Sequence, residues 1–336
     1  ALTSLKYFYE NAPQYAIVAA ESLLGVALHQ GTSFPVWKVD FLDLYPLNFR
    51  EFLCAMGEKQ FVSMLDSCDT QMVTVFKTKY IERLREYYFV GGMPEVVKDF
   101  SEKKDYNRVR AIQKNLINYY QQDFSKHAEI KLVPRLNLVW NSIPMQLAKE
   151  NKKYIYGQVR EGSRAKDFEL AIQWLLDCGL IHKVQRIQKP DLPLKAYIDF
   201  DAFKLFLVDI GLLIAMTDLD AKVIIEGNKI FTEFKGALTE QYILQQLISD
   251  VGVIPYYYST QNSKGEIDFL VQGKTSVIPI EVKAEENLKA KSLKAFCEKY
   301  QPSYAVRTSM SDYREQDWMT NIPLYAVKWI KNYVNQ

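Results

Sequence analysis

The last third of the chain constrains the fold most tightly, because its apolar pattern changes period in a fixed order. Leu238, Tyr242, Leu244 and Leu247 recur at helical spacing across Lys235 to Ile248. Strand-like runs follow at Ile254 to Ser259, Glu266 to Val271 and Ser276 to Val282, then a helix near Ser292 to Lys299 and a strand at Ser303 to Thr308. The predicted order is α-β-β-β-α-β, which calls for a sheet with helices packed on it.

With 336 residues, 48% of them hydrophobic and 24% charged, the chain has material for two or three folded domains and lies far from the disordered class. Leu2, Leu5, Phe8 and Tyr9 predict a first helix. The apolar runs Tyr15 to Ala20 and Val39 to Leu44 predict two strands of one buried sheet, incomplete as given. From Asn48 to Glu95 the pattern is that of a small helical lid, closed by Gly91-Gly92-Met93-Pro94. Further on, Ser142-Ile143-Pro144 predicts a helix start, and Ser163 a cap for a second helix that ends at Gly179. Leu180 to Val184 and Ala196 to Ile198 flank a Pro-containing loop, so helix, helix and hairpin stand in winged-helix order. The expected fold class is α/β and α+β, multidomain, with boundaries at 1–95, 96–200 and 201–336.

Lys and Arg total 42 against 40 for Asp and Glu, so no global field recruits nucleic acid or anionic lipid. Between residues 131 and 200, however, twelve Lys and Arg face seven Asp and Glu, and Lys152, Lys153, Arg160, Arg164, Lys166, Lys183 and Arg186 are the candidate phosphate contacts there. The bland alternative is a set of solvated charges. Cys54, Cys68, Cys178 and Cys297 form no CxxC pair, which argues against a zinc knuckle or disulfide framework and for a reducing cytoplasm. Phe206 to Met216, the most apolar stretch, is far short of the roughly 20 residues a bilayer requires, so no membrane span is expected. His29, His127 and His182 lack metal-ligand spacing.

The chemistry-bearing constellation is Glu266-Ile267-Asp268 followed by Ile280-Glu281-Val282-Lys283. On a strand Glu281 and Lys283 share one face, and an adjacent strand can bring Asp268 beside them. Neighbouring carboxylates repel one another, but become favourable as oxygen ligands of Mg²⁺. A nearby lysine can stabilise charge that develops during phosphodiester attack. Glu240, on the preceding helix, could add a third carboxylate. The candidate metal ligands are therefore Asp268, Glu281 and Glu240, with Lys283 completing the candidate catalytic set. The alternative is a hairpin end at Asp268 and a solvated strand face at Glu281 and Lys283.

Glu240, Asp268 and Glu281-Val282-Lys283 on this element order resemble the PD-(D/E)xK nuclease superfamily, restriction-endonuclease-like in fold. Tyr45-Pro46-Leu47-Asn48-Phe49-Arg50-Glu51-Phe52, Gly91-Gly92-Met93-Pro94-Glu95 and Asp209-Ile210-Gly211-Leu212-Leu213 extend the likeness over nearly the whole chain. Together they resemble the predicted AAA+ superfamily ATPases that carry the C-terminal domain of unknown function DUF4143. The resemblance implies a P-loop domain, a winged helix and a nuclease-like domain in that order, with Mg²⁺ at the nuclease-like acids. The chain departs from the pattern in having no GxxxxGK[ST] loop to cradle phosphates, since Gly273-Lys274-Thr275 falls in a predicted strand turn. ATP binding is thus expected only of a parent that has the loop. Ser22 is the one residue matching an ATPase sensor position. The expected remnant of the ATPase sheet would expose apolar surface and an unpaired edge, which invites self-association. The sequence thus points to a DNA-associated protein with a Mg²⁺-dependent nuclease-like site, or to a non-catalytic protein that uses the same folds as a binding scaffold.

Overall fold

The computed structural model describes residues 2–19, 38–150, 152–226, 232–260, 265–286 and 290–336. Its described strands form one mixed eight-stranded sheet: β1 (Ile181–Ile187), β2 (Ile198–Leu207), β3 (Tyr256–Ser259), β4 (Glu266–Gln272), β5 (Val277–Val282), β6 (Val306–Ser309), β7 (Arg314–Gln316) and β8 (Met319–Pro323). Their order is β2-β1-β3-β4-β5-β6-β8-β7. β1 pairs with β2, and β4 with both β3 and β5, in antiparallel fashion, while β1–β3, β5–β6 and β6–β8 are parallel. The predicted α-β-β-β-α-β order is present as helix Thr232–Gln246, β3, β4, β5, helix Lys291–Tyr300 and β6. Gly273 N–H donates to the Ser276 carbonyl at 2.9 Å, so the Gly-Lys-Thr segment is the β4–β5 turn.

Strands β1 and β2 form a hairpin, as the patterning indicated, but they are not a free wing. Arg186 and Ile187 pair with Tyr257 and Tyr258 of β3, which extends the C-terminal sheet, and the boundary expected at 200 falls inside β2. The helix near Pro144 begins earlier than expected, spanning Val133–Leu147 with a proline in its first turn and Pro144 near its end. Pro144 costs one backbone donor, a loss confined to the last turn. Ser163 is not the next cap: Arg164 is, and its N–H donates to Asp167 Oδ2 at 2.8 Å.

No described residue of 1–95 is in a strand. Residues 16–19 and 39–44 have no regular structure, and Val18, Leu42 and Leu44 are 92–93% exposed. Strand-prone segments without neighbours to pair with gain too little to hold a sheet. Ala20 and Ser22 lie outside the described residues.

Helices Phe49–Ala55, Lys59–Asp66 and Lys77–Val90, in the stretch where a lid is expected, pack directly on the C-terminal region. The Trp329 indole donates to the Leu65 carbonyl at 2.7 Å, and the Tyr80 and Tyr325 rings stack at 4.9 Å. One apolar cluster runs from Phe49 through Trp140 and Leu175 to Ile330, crossing both expected boundaries. At its centre the three glycine- and acid-bearing motifs converge. Asp209 caps helix Ile210–Met216 by accepting from Leu212 N–H at 3.0 Å, and also accepts from Gly92 N–H at 2.6 Å. Leu47 N–H donates to the Gly92 carbonyl at 2.7 Å, and Tyr87 O–H donates to the Leu47 carbonyl at 2.5 Å. A Cβ on Gly92 would stand 2.1 Å from the Leu47 carbonyl oxygen, so only glycine fits.

Candidate functional site

The site forms between helix Thr232–Gln246 and strands β2 and β4. The helix presents Glu240, β4 presents Glu266 and Asp268, and β2 presents Lys204. Lys204 is 0% exposed, and its Nζ lies 2.5 Å from Glu266 Oε1 and 3.5 Å from Glu240 Oε2. A lysine is buried so completely only where anions surround it. Burial alone would lower its pKa, but Glu240, Glu266 and Asp268 outweigh that and raise it. Lys152 also pairs with Glu240, through Oε1.

Asp268 is half-buried and accepts from Val282 N–H at 2.7 Å through Oδ2. Desolvation, reinforced by the Glu240 charge, pushes its carboxyl up to about 7. For Glu240 burial acts in the same direction, yet Lys152 and Lys204 prevail and hold it below its ordinary value. Two neighbouring carboxyls are thereby driven apart, one ionised and the other poised near neutrality.

Glu281 and Lys283 form a second part of the site. Lys283 Nζ lies 2.6 Å from Glu281 Oε1, and Leu293 N–H, in helix Lys291–Tyr300, donates to Glu281 Oε2 at 3.3 Å. Glu240, Lys204 and Lys152 act on Asp268, and the Val282 N–H beside Glu281 donates to Asp268 Oδ2, while the β4–β5 register that sets Phe269 against Ile280 runs on toward Asp268 and Glu281. Among the described residues, no group of three His, Cys, Asp or Glu side chains is arranged to hold a metal ion. The donor chemistry nevertheless suits a hard cation. Three carboxylates surround the Lys204 ammonium, and the buried Glu240 Oε2 makes no hydrogen bond among the described residues.

The candidate phosphate contacts have diverse surroundings. Lys152 is committed to Glu240, Arg186 forms an ion pair with Asp199, and Lys183 lies over the Phe203 ring at 4.3 Å. Lys153 lies within the field of Asp199. Arg160, Arg164 and Lys166 stand at the surface around the start of helix Ala165–Asp177. His182 is half-buried beside Tyr45, and desolvation pushes it down to about 4, so it stays neutral near pH 7.

Lys204 and Glu266 are the members that sequence reasoning missed. The only available signal was a lysine inside the apolar run Ala202 to Leu207, which single-strand patterning cannot match to acids far along the chain.

Comparison with known protein families places these residues in two matched regions. Residues 235–327 match a domain of unknown function, DUF4143. Residues 81–223 match a second domain of unknown function, DUF8612. No curated protein and no solved structure matches the chain. The DUF4143 domain contributes Glu240, Glu266, Asp268, Glu281 and Lys283, whereas Lys152 and Lys204 come from the DUF8612 match. The sheet is shared in the same way, with β1 and β2 from the first region and β3 to β8 from the DUF4143 domain. No helix among the described residues is long and apolar enough to cross a membrane.

Proposed function

We propose that the chain is a DNA-associated protein of the AAA+ ATPase and DUF4143 kind, with a PD-(D/E)xK-like site that supports phosphodiester cleavage. The observation that carries this reading is the Glu240–Asp268 pair, brought by helix and strand into one partly buried site where Asp268 is poised near 7. Carboxyls separated in this way by burial and mutual repulsion are characteristic of functional sites. Glu240, Asp268 and Glu281 would hold Mg²⁺, which when bound supplies charge stabilisation at the phosphodiester. Asp268 Oδ2 is taken by Val282 N–H, which leaves Oδ1 as the oxygen that would face the metal. Lys283, positioned by Glu281, neutralises charge that builds on the phosphate. Arg160, Arg164 and Lys166 offer surface phosphate contacts on the DUF8612 side.

Labelled duplex DNA incubated with the full chain and Mg²⁺ or Mn²⁺ tests the reading. Asp268→Ala is expected to abolish metal binding and cleavage, and Lys283→Ala to abolish cleavage while Mn²⁺ still binds. Cleavage retained by both variants refutes it. A second reading, a non-catalytic scaffold, draws support from the lysines already paired with Glu240, Glu266 and Glu281. It requires that Mn²⁺ neither bind at Asp268 nor alter DNA affinity.

A further inference from the structure

We propose that Lys204 is the resident cation of this site, and that a divalent ion reaches Glu240, Glu266 and Asp268 only by displacing its ammonium. The inference rests on the carboxylate-site reading above and adds a control that this reading lacks. Lys204 occupies a place where the β2 pattern calls for an apolar residue: its neighbours Phe203, Leu205 and Phe206 are all buried. Its ammonium lies 4.9 Å from the centre of the Tyr257 ring, which shields it from water. The remaining side faces acids, with Glu266 at 2.5 Å, Glu240 at 3.5 Å and the Asp268 charge close enough to act on it.

Charge balance gives this position its meaning. With Lys152 and Lys204 both in place, two ammonium groups offset the acids around them. Without Lys204, Glu240, Glu266 and Asp268 would face one another with Lys152 alone as counter-charge. Clustered carboxylates in that state recruit a hard divalent cation, the ligand class that tolerates such repulsion. The lysine comes from the DUF8612-matching region and the acids from the DUF4143 domain. β2 is held to β1 and, through it, to β3, so one continuous sheet seats the ammonium among the acids.

Mn²⁺ titration of the full chain, read by the electron paramagnetic resonance signal of free Mn²⁺, tests the inference. Lys204→Met, which keeps the stem and removes the charge, is expected to bind Mn²⁺ at least about tenfold more tightly than the unsubstituted chain. The gain should vanish in Lys204→Met/Asp268→Ala, and Lys204→Arg should bind no more tightly than the unsubstituted chain. If Lys204→Met unfolds without metal, refolding on Mn²⁺ addition, followed by circular dichroism, is the supporting outcome. A variant that stays unfolded at saturating Mn²⁺ overturns the inference. So does equal Mn²⁺ affinity with and without Lys204, which leaves the metal-site reading intact. Absence of Mn²⁺ binding in every form overturns both.

Discussion

Replacing Asp209 tests whether the motif residues are a structural hub. Asp209 is 0% exposed, and its carboxylate accepts from Gly92 N–H at 2.6 Å and Leu212 N–H at 3.0 Å, with Gln245 Nε2 at 3.4 Å. Asp209→Ala removes the cap of helix Ile210–Met216, which costs about 1 kcal/mol. It also strands the buried Gly92 N–H, for about 1–3 kcal/mol more. A total near ~3 kcal/mol corresponds to a fall in Tm of roughly 4–5 °C for a chain of this size. Asp209→Asn keeps one acceptor oxygen but turns an amide donor toward one of the two N–H groups, so its fall should be smaller and still measurable. Differential scanning calorimetry gives the size of the fall, and amide hydrogen exchange locates the damage. Exchange should accelerate at Gly92 and Leu212, which then have no acceptor, and next at Leu47, which donates to the Gly92 carbonyl. A Tm within about 2 °C of the unsubstituted chain, with protection at Gly92 unchanged, refutes the reasoning.

Two other expectations concern the site and its surroundings. Asp268 should titrate near 7 by carbon-detected NMR, and Glu240→Gln should move it down, because the repelling charge is removed. Since its folded pKa is raised, this group's contribution to stability is present below the ordinary carboxylate range and is lost as pH rises toward and through about 7. Asp268→Asn should flatten that part of a stability–pH curve, and an unchanged curve counts against the burial argument. For DNA binding, Arg160→Ala/Arg164→Ala/Lys166→Ala should weaken affinity evenly across sequences. It should also lower the salt slope by up to roughly 0.9 for each phosphate that is no longer neutralised. An unchanged slope means that these side chains do not touch phosphate.

The local patterns were most legible where period and punctuation agreed. Tyr256-Tyr257-Tyr258 is buried in β3, within the run Ile254 to Ser259 that the pattern marked as a strand, and Asp209, quoted with Ile210-Gly211-Leu212-Leu213, caps the helix those residues form. β7 and β8 escaped notice because Arg314 to Pro323 is short and mixed, and Met319 to Pro323 is buried only through its parallel neighbour β6. Ala16 to Ala19 and Val39 to Leu44 show the opposite error. Strand propensity is a statement about fitting a pleated, half-buried surface, and no surface of that kind meets them in the described structure.

The amino-acid sequence by itself determined the helix and strand order of the DUF4143 domain and the acids and lysine in its strands, because period and residue type are local properties. It also held the glycines that let Gly92 meet Leu47. Only the tertiary structure decided which charges share a site. It took Lys152 from the expected DNA surface to Glu240, and buried Lys204 among three acids. It also extended the sheet through β1 and β2, so that two matched regions complete one cluster. The physical reason is that Coulomb and desolvation energies depend on distance and burial in space, and neither is written in the spacing of residues along a chain.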